Sequence, residues 1–141
     1  MRKQISILLT CFFTVIAAHA QEGKYATVPG VYKGNMPCEE CKIIETELEL
    51  TYSTDSTGTF SLRDKYISEG SKEAISSRIK GEYAIHSDVI NTTKATVIVL
   101  NYDNEDKAIY YLLKADGNLL PLDKEKRPIT AQIDCTLKRL L

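Results

Sequence analysis

The chain has 141 residues with 18 basic and 19 acidic side chains, a formal net charge of −1 and a pI near 6.1. That length suits one domain with a real core, and the near-neutral balance without basic clusters argues against nucleic acid as a partner. Beyond the N-terminal stretch, no apolar segment is long enough to cross a membrane as a helix, which takes about 20 residues.

The first twenty residues have the grammar of an export signal. Arg2 and Lys3 form a positive start, Ile5 to Ala18 an apolar stretch, and Ala18-His19-Ala20 a small-x-small cleavage site. We expect 1–20 to be a signal peptide and 21–141 a single mature domain of 121 residues. Loss of Arg2 and Lys3 then leaves 16 basic residues against 19 acidic ones, a charge of −3. Leu8-Leu9-Thr10-Cys11 is a weaker, lipobox-like alternative that would make Cys11 a lipid anchor, at the cost of leaving Phe12 to Ala18 as an unexplained apolar run. Either way the destination is the periplasm or cell envelope, where oxidation is favoured.

Period-two patterns follow. A first strand is expected around Val31-Tyr32. Ile44, Thr46, Leu48, Leu50 and Tyr52 share one face of the next, with Glu45, Glu47 and Glu49 on the other, as in a strand with one buried and one solvated side. Phe60 and Leu62 begin another after the turn residues Thr54 to Gly58. Ile75, Ile79, Gly81, Tyr83 and Ile85 alternate in the next, with Gly81 as a bulge or bend and one helical turn allowed over Glu69 to Lys80. Ala95 to Tyr102 is apolar on both faces, a covered strand. Asp103-Asn104-Glu105-Asp106 turns into Ala108 to Leu113, and Asp116-Gly117 signals a two-residue hairpin into Leu119, Leu120 and Leu122. Ile129, Ala131, Ile133, Cys135 and Leu137 alternate in a last strand. About eight strands on short turns predict an all-β, antiparallel, up-and-down barrel that hides its edges by closing, with an open sheet or sandwich as the alternative.

Chemistry concentrates in Met36-Pro37-Cys38-Glu39-Glu40-Cys41, a loop between the first two strands. A structural Cys38–Cys41 disulfide is one reading, and so short a ring removes little chain entropy. Thiol-exchange catalysis is another, disfavoured because reactive pairs sit at helix N-termini or beside cations, whereas Glu39 and Glu40 disfavour the thiolate. Soft-metal binding is the third: Cys38 and Cys41 as thiolate ligands, Met36 as a thioether, and copper as the ion. Structural zinc wants four ligands, and His86 is the only histidine after residue 20. Cys135 is expected to be a buried, inert thiol. Tyr52, Tyr66, Tyr83, Tyr102, Tyr110 and Tyr111 belong to the core or rim, or else line a ligand cavity. No Ser-His-Asp set is available, and Asn91-Thr92-Thr93 matches a glycosylation sequon without consequence behind a bacterial-type signal. The chain is expected not to be an enzyme.

The run from Gly34 to Leu50 resembles the N-terminal domain of the NlpE-type copper-resistance lipoproteins, whose pattern is Gly-x-Leu-Pro-Cys-x-x-Cys-x-Gly-Ile-x-Thr-x-Leu-x-Leu. Gly34, Pro37, Cys38, Cys41, Ile44, Thr46, Leu48 and Leu50 match it; Met36 and Ile43 depart from it. Lys80-Gly81-Glu82-Tyr83, and Leu122-Asp123 through Pro128-Ile129, resemble later pieces more loosely. The resemblance implies a lipocalin-like barrel in the bacterial envelope, linked to copper homeostasis and envelope stress, in a family typically lipid-anchored and in its longer members carrying a second domain. A lipocalin-like binder of a small apolar ligand, with the disulfide as a brace, is the competing expectation. A third is a barrel recognising an envelope protein through loops such as Glu69 to Lys72.

Overall fold

A computed structural model describes residues 27–70 and 72–141; the signal-peptide and Cys11 expectations lie outside them. Among the described residues, eight antiparallel strands follow in chain order: β1 (Gly30–Met36), β2 (Ile43–Tyr52), β3 (Thr57–Ile67), β4 (Ile75–Ile90), β5 (Thr93–Leu100), β6 (Ile109–Leu113), β7 (Leu119–Leu122) and β8 (Lys138–Arg139). They lie in the order β7-β6-β5-β4-β3-β2-β1-β8, a meander whose last strand returns beside the first. Leu119 N–H donates to Leu137 O at 3.0 Å and Leu137 N–H to Leu119 O at 2.8 Å, so the two ends of the sheet meet. The all-β, up-and-down barrel expected from the sequence is the fold.

Strand registers sort the inward side chains into rows. Met36, Ile44, Tyr66 and Ile75 form the row nearest the Cys38–Cys41 loop; Gly34, Thr46, Asp64 and Ser77 form the next; Tyr32, Leu48, Leu62 and Ile79 form the third. Below them Leu50, Phe60, Tyr83, Ile85, Ile98, Leu100 and Tyr111 complete a core of buried side chains. Tyr32 is wholly enclosed, and its hydroxyl donates to Val28 O, the partner a buried phenol needs. The barrel centre is filled by side chains, which weighs against a cavity for an apolar ligand there. Tyr83 and Tyr111 belong to this core, Tyr66 to its rim, and Tyr52 and Tyr102 to the surface.

β5 is buried on both faces, as its apolar sequence requires. Ile98 and Leu100 enter the barrel, while Val97 and Val99 join Ile90, Ala108 and Leu122 in a second cluster on the outside. Gly81 does not mark a bulge, since the β3–β4 ladder runs through Phe60↔Gly81 without a break. It is small because a Cβ there would lie 2.5 Å from Asn101 Oδ1 and 2.9 Å from the Phe60 ring.

Three further expectations are corrected, and one exposure is added to them. The described residues of 69–80 form no helical turn: the chain turns at Gly70 and enters β4 at Ile75, and no helix occurs among the described residues. Ile75 and Ile79 sit on the core-facing parity of β4 yet are 74% and 44% exposed, because β5 pairs only with Tyr83 to Ile90 and leaves this half uncovered. Asp116-Gly117 is not a two-residue hairpin: Gly117 N–H donates to Lys114 O and Lys114 N–H to Asn118 O, a type I turn followed by Gly117 at φ +84°. That three-residue loop needs the glycine for its left-handed position. The alternating run from Ile129 to Leu137 is no continuous strand; only bridges at Pro128 and Leu137 and the short β8 pair. Asp134 bends this run by accepting the Thr136 N–H at 2.9 Å, a side-chain turn that competes with the ladder.

Candidate functional site

The β1–β2 hairpin presents the cysteine loop at one mouth of the barrel. Met36 ends β1 on its inward side, opposite Ile44, and Pro37 carries the chain out of the ladder because it has no N–H to donate. Residues 37–42 cross the mouth, and Lys42 N–H then donates to Ile67 O at 2.8 Å, which ties the end of the loop to β3. Both flanks of the loop are therefore anchored in strands. Cys38 and Cys41 are half-buried, their Cα atoms 5.3 Å apart, and their sulfurs are joined as a disulfide. The Cys41 sulfur lies 3.6 Å from Ile43 O, a contact without a proton while the sulfur is bridged.

Carboxylates crowd this loop. Glu39 and Glu40 stand exposed between the cysteines, and with Cys41, Ser68 and Glu69 they line a shallow cleft. Ser68 and Glu69 were not singled out as companions of the cysteines in the sequence. The register Ile43↔Ile67 is what carries the chain after β3 back beside the loop, and it was the signal that would have found them. Among the described residues no three His, Cys, Asp or Glu side chains are grouped to hold a metal ion. His86 is exposed on β4 and does not join the loop.

Cys135 is free and 4% exposed. Burial, and then the neighbouring Asp134 carboxylate, push its thiol above the ordinary range, which keeps it protonated and unreactive. The segment that holds it packs close over β1: a Cβ on Gly34 would meet Thr136 O at 2.6 Å and the Leu137 side chain at 2.8 Å. Glycine at 34 thus permits the C-terminal segment to cross the strand leading to the cysteine loop.

On the outer face beneath the mouth, Glu47 is held by Lys33 at 2.8 Å and Arg63 at 3.2 Å. The Lys33 hydrogen bond is the main reason its carboxyl lies below the usual range. Inside, Thr46 donates to Asp64 at 2.7 Å, giving the second row one polar pair above the apolar core. Tyr111, on β6, is buried, which raises its hydroxyl far above the ordinary tyrosine range.

Known proteins share this pattern. Residues 32–132, covering β1 from Tyr32 through β7 and both loop cysteines, match the family described as the NlpE N-terminal domain. Lipoprotein NlpE of Escherichia coli strain K12 is 30% identical over 119 residues, which is 84% of this chain and 44% of that protein. A crystal structure of a putative lipoprotein from Shewanella oneidensis superposes with a TM-score of 0.54 at 30% identity, over 79% of this chain and 88% of that one. The structure of the Cpx pathway activator NlpE from Escherichia coli gives a TM-score of 0.50 at 29% identity, over 80% of this chain and 52% of that one. The chain therefore spans about half the length of the Escherichia coli protein it matches. The family match covers most of the chain and holds the barrel and the cysteine loop alike: the chain belongs to the NlpE N-terminal domain family.

Proposed function

We propose that this domain is a non-enzymatic barrel of the cell envelope whose Cys38–Cys41 loop responds to redox state and, once reduced, binds a soft cation such as Cu(I). The observation that carries the proposal is a bridged cysteine pair anchored by strands at an acid-lined mouth. A dithiol reductant supplies two electrons and two protons to open the bridge; loss of both protons leaves two thiolates. Thiolates select Cu(I) over hard cations, and Glu39, Glu40 and Glu69 add a negative field that attracts a cation. The same carboxylates oppose thiolate chemistry toward other disulfides, as does the absence of a helix N-terminus at the loop. The pair supplies two ligands, and Met36 at the end of β1 is the proposed third.

The proposal is tested by anaerobic Cu(I) titration of reduced protein against a chromogenic chelator, beside Cys38→Ser/Cys41→Ser. One-to-one binding that the double variant loses is the expected result, with a smaller loss for Met36→Leu. Equal failure of wild type and variant to compete would reduce the loop to a brace of the barrel mouth.

A further inference from the structure

Among the described residues, the first half of β4 is a free sheet edge. The β3–β4 ladder is unbroken from Tyr66↔Ile75 to Thr57↔Ala84, whereas pairing with β5 begins only at Tyr83. Backbone groups of a strand point alternately to its two neighbours. Ile85 N–H donates to Ser56 O on the β3 side, and Glu82 O accepts from Asn101 N–H on the β5 side. Odd-numbered residues thus bond to β3, and Ser76, Arg78 and Lys80 aim their N–H and C=O groups at the open side. These groups have no backbone partner among the described residues.

The side chains along this edge are those of an interface. Ile75 and Ile79 are 74% and 44% exposed. Arg78 and Lys80 are exposed, and neither takes part in any ion pair among the described residues. Lys80 and Ile79 also line a hollow with Asn101 and Lys107 where β5 stops, which adds a further positive charge.

We propose that Ser76 to Lys80 receives an extended segment of a partner protein as an added antiparallel strand, one that alternates acidic and apolar residues. The existing ladders specify the pattern. The outer row Lys33–Glu47–Arg63–Arg78 alternates in sign until it ends on two arginines, so the next position calls for a carboxylate. The inner row Tyr32–Leu48–Leu62–Ile79 is apolar and calls for an apolar residue beside Ile79. Antiparallel pairing then reads, from the N-terminus of the guest, acid opposite Lys80, apolar opposite Ile79, acid opposite Arg78, polar opposite Ser77 and Ser76, and apolar opposite Ile75. Main-chain bonds supply affinity and the alternate side chains supply selectivity, as in other strand additions. A second copy of this chain is the poorer guest, because antiparallel self-pairing along the open edge sets Arg78 and Lys80 against Ser76, Ala74 or a like charge and never against a carboxylate.

The probe is a capped peptide containing Glu-Val-Glu-Thr-Thr-Val, titrated by fluorescence anisotropy into the oxidised domain, with a scrambled peptide and a Lys-for-Glu peptide as controls. Saturable binding of the probe alone, with slowed amide exchange at Ser76, Arg78 and Lys80, is expected. Arg78→Pro removes one edge N–H that faces solvent in the free domain, a place where a sheet tolerates proline; it should abolish binding. Arg78→Glu/Lys80→Glu should weaken the acidic probe about tenfold and admit the Lys-for-Glu peptide. Equal binding of all peptides, or binding without protection of those three amides, overturns the proposal. So does concentration-dependent dimerisation that Arg78→Pro removes, which would make a second copy the occupant. Cys38→Ser/Cys41→Ser should leave probe binding unchanged, so this result and the Cu(I) result stand or fall separately.

Discussion

Lys126 does two things in one turn. Residues 123–127 repeat the geometry of the Gly117 loop: Lys126 N–H donates to Asp123 O and Asp123 N–H to Arg127 O, with Lys126 at φ +60° in the slot that Gly117 fills elsewhere. A left-handed non-glycine residue costs on the order of 1 kcal/mol. Its side chain offsets part of that by an ion pair to Asp88 and by standing 5.7 Å over the Tyr110 ring, which fastens the loop beside the outer apolar cluster. The Lys126 hydrogen bond is the main reason Asp88 lies below the ordinary aspartate range, with the Val89 N–H second. Because the folded carboxyl is the stronger acid, its contribution is present above the unfolded value of about 3.9 and is lost as pH falls through the lower, folded one. Asp88→Asn should therefore lower the urea-derived stability at pH 7 by up to about 1 kcal/mol, the ceiling for a half-exposed pair. The gap to wild type should narrow as pH falls below the unfolded value, read by repeating the urea curves at successively lower pH. A gap independent of pH would assign the loss to packing instead.

The β4–β5 hairpin shows an element bought at some strain. Ile90 pairs with Thr93, and the two residues between them, Asn91 and Thr92, have φ of +47° and +66°, a type I′ turn. That turn matches the twist of the flanking strands but favours Asn-Gly. Asn91 suits it; Thr92, β-branched, does not. Thr92→Gly should stabilise the domain by about 1 kcal/mol, seen as a higher urea midpoint with an unchanged slope. Elements of this kind explain what was legible in the sequence. β2 could be read directly, since its Glu45-Glu47-Glu49 face is solvated and its Leu48 and Leu50 are enclosed. The disulfide between Cys38 and Cys41 was one of the readings their spacing allowed. The exposure of Ile75 and Ile79 could not be read, because alternation reports which side a residue takes and not whether a neighbouring strand covers it. The run from Ile129 to Leu137 misled for a related reason: its period is that of a strand, but Pro128 and the Asp134 turn withhold the ladder. Glu69 was invisible as a companion of the cysteines until register placed it there.

At the scale of the whole molecule, the barrel has one continuous wall and one slender seam. From β1 through β6 each strand pairs with the next along an uninterrupted register, whereas β7 meets the C-terminal segment only at points, through two backbone bonds between Leu119 and Leu137 and one from Ile129 N–H to Pro121 O. Arg139 reinforces the seam: its N–H donates to Asn118 Oδ1 at 3.0 Å and its guanidinium to Pro29 O at 2.7 Å. Leu137 is the apolar part of this closure, fully enclosed and packed above Gly34. Leu137→Ala removes buried methyl groups where the surroundings can relax only partly, so it should cost about 2–5 kcal/mol. The seam carries few backbone bonds, so its opening should also be a local event of lower free energy than global unfolding. In the variant, amide exchange at Leu119 and Leu137 should accelerate more than at Leu48 and Leu62 in the middle of the wall. Equal acceleration at all four would mean that the seam opens only when the whole barrel does. Since the segment behind Leu137 crosses β1 at Gly34, two residues before Met36, a locally opening seam would loosen the strand that carries the cysteine loop, and Leu137→Ala should then make the Cys38–Cys41 bridge more quickly reduced by dithiothreitol under native conditions.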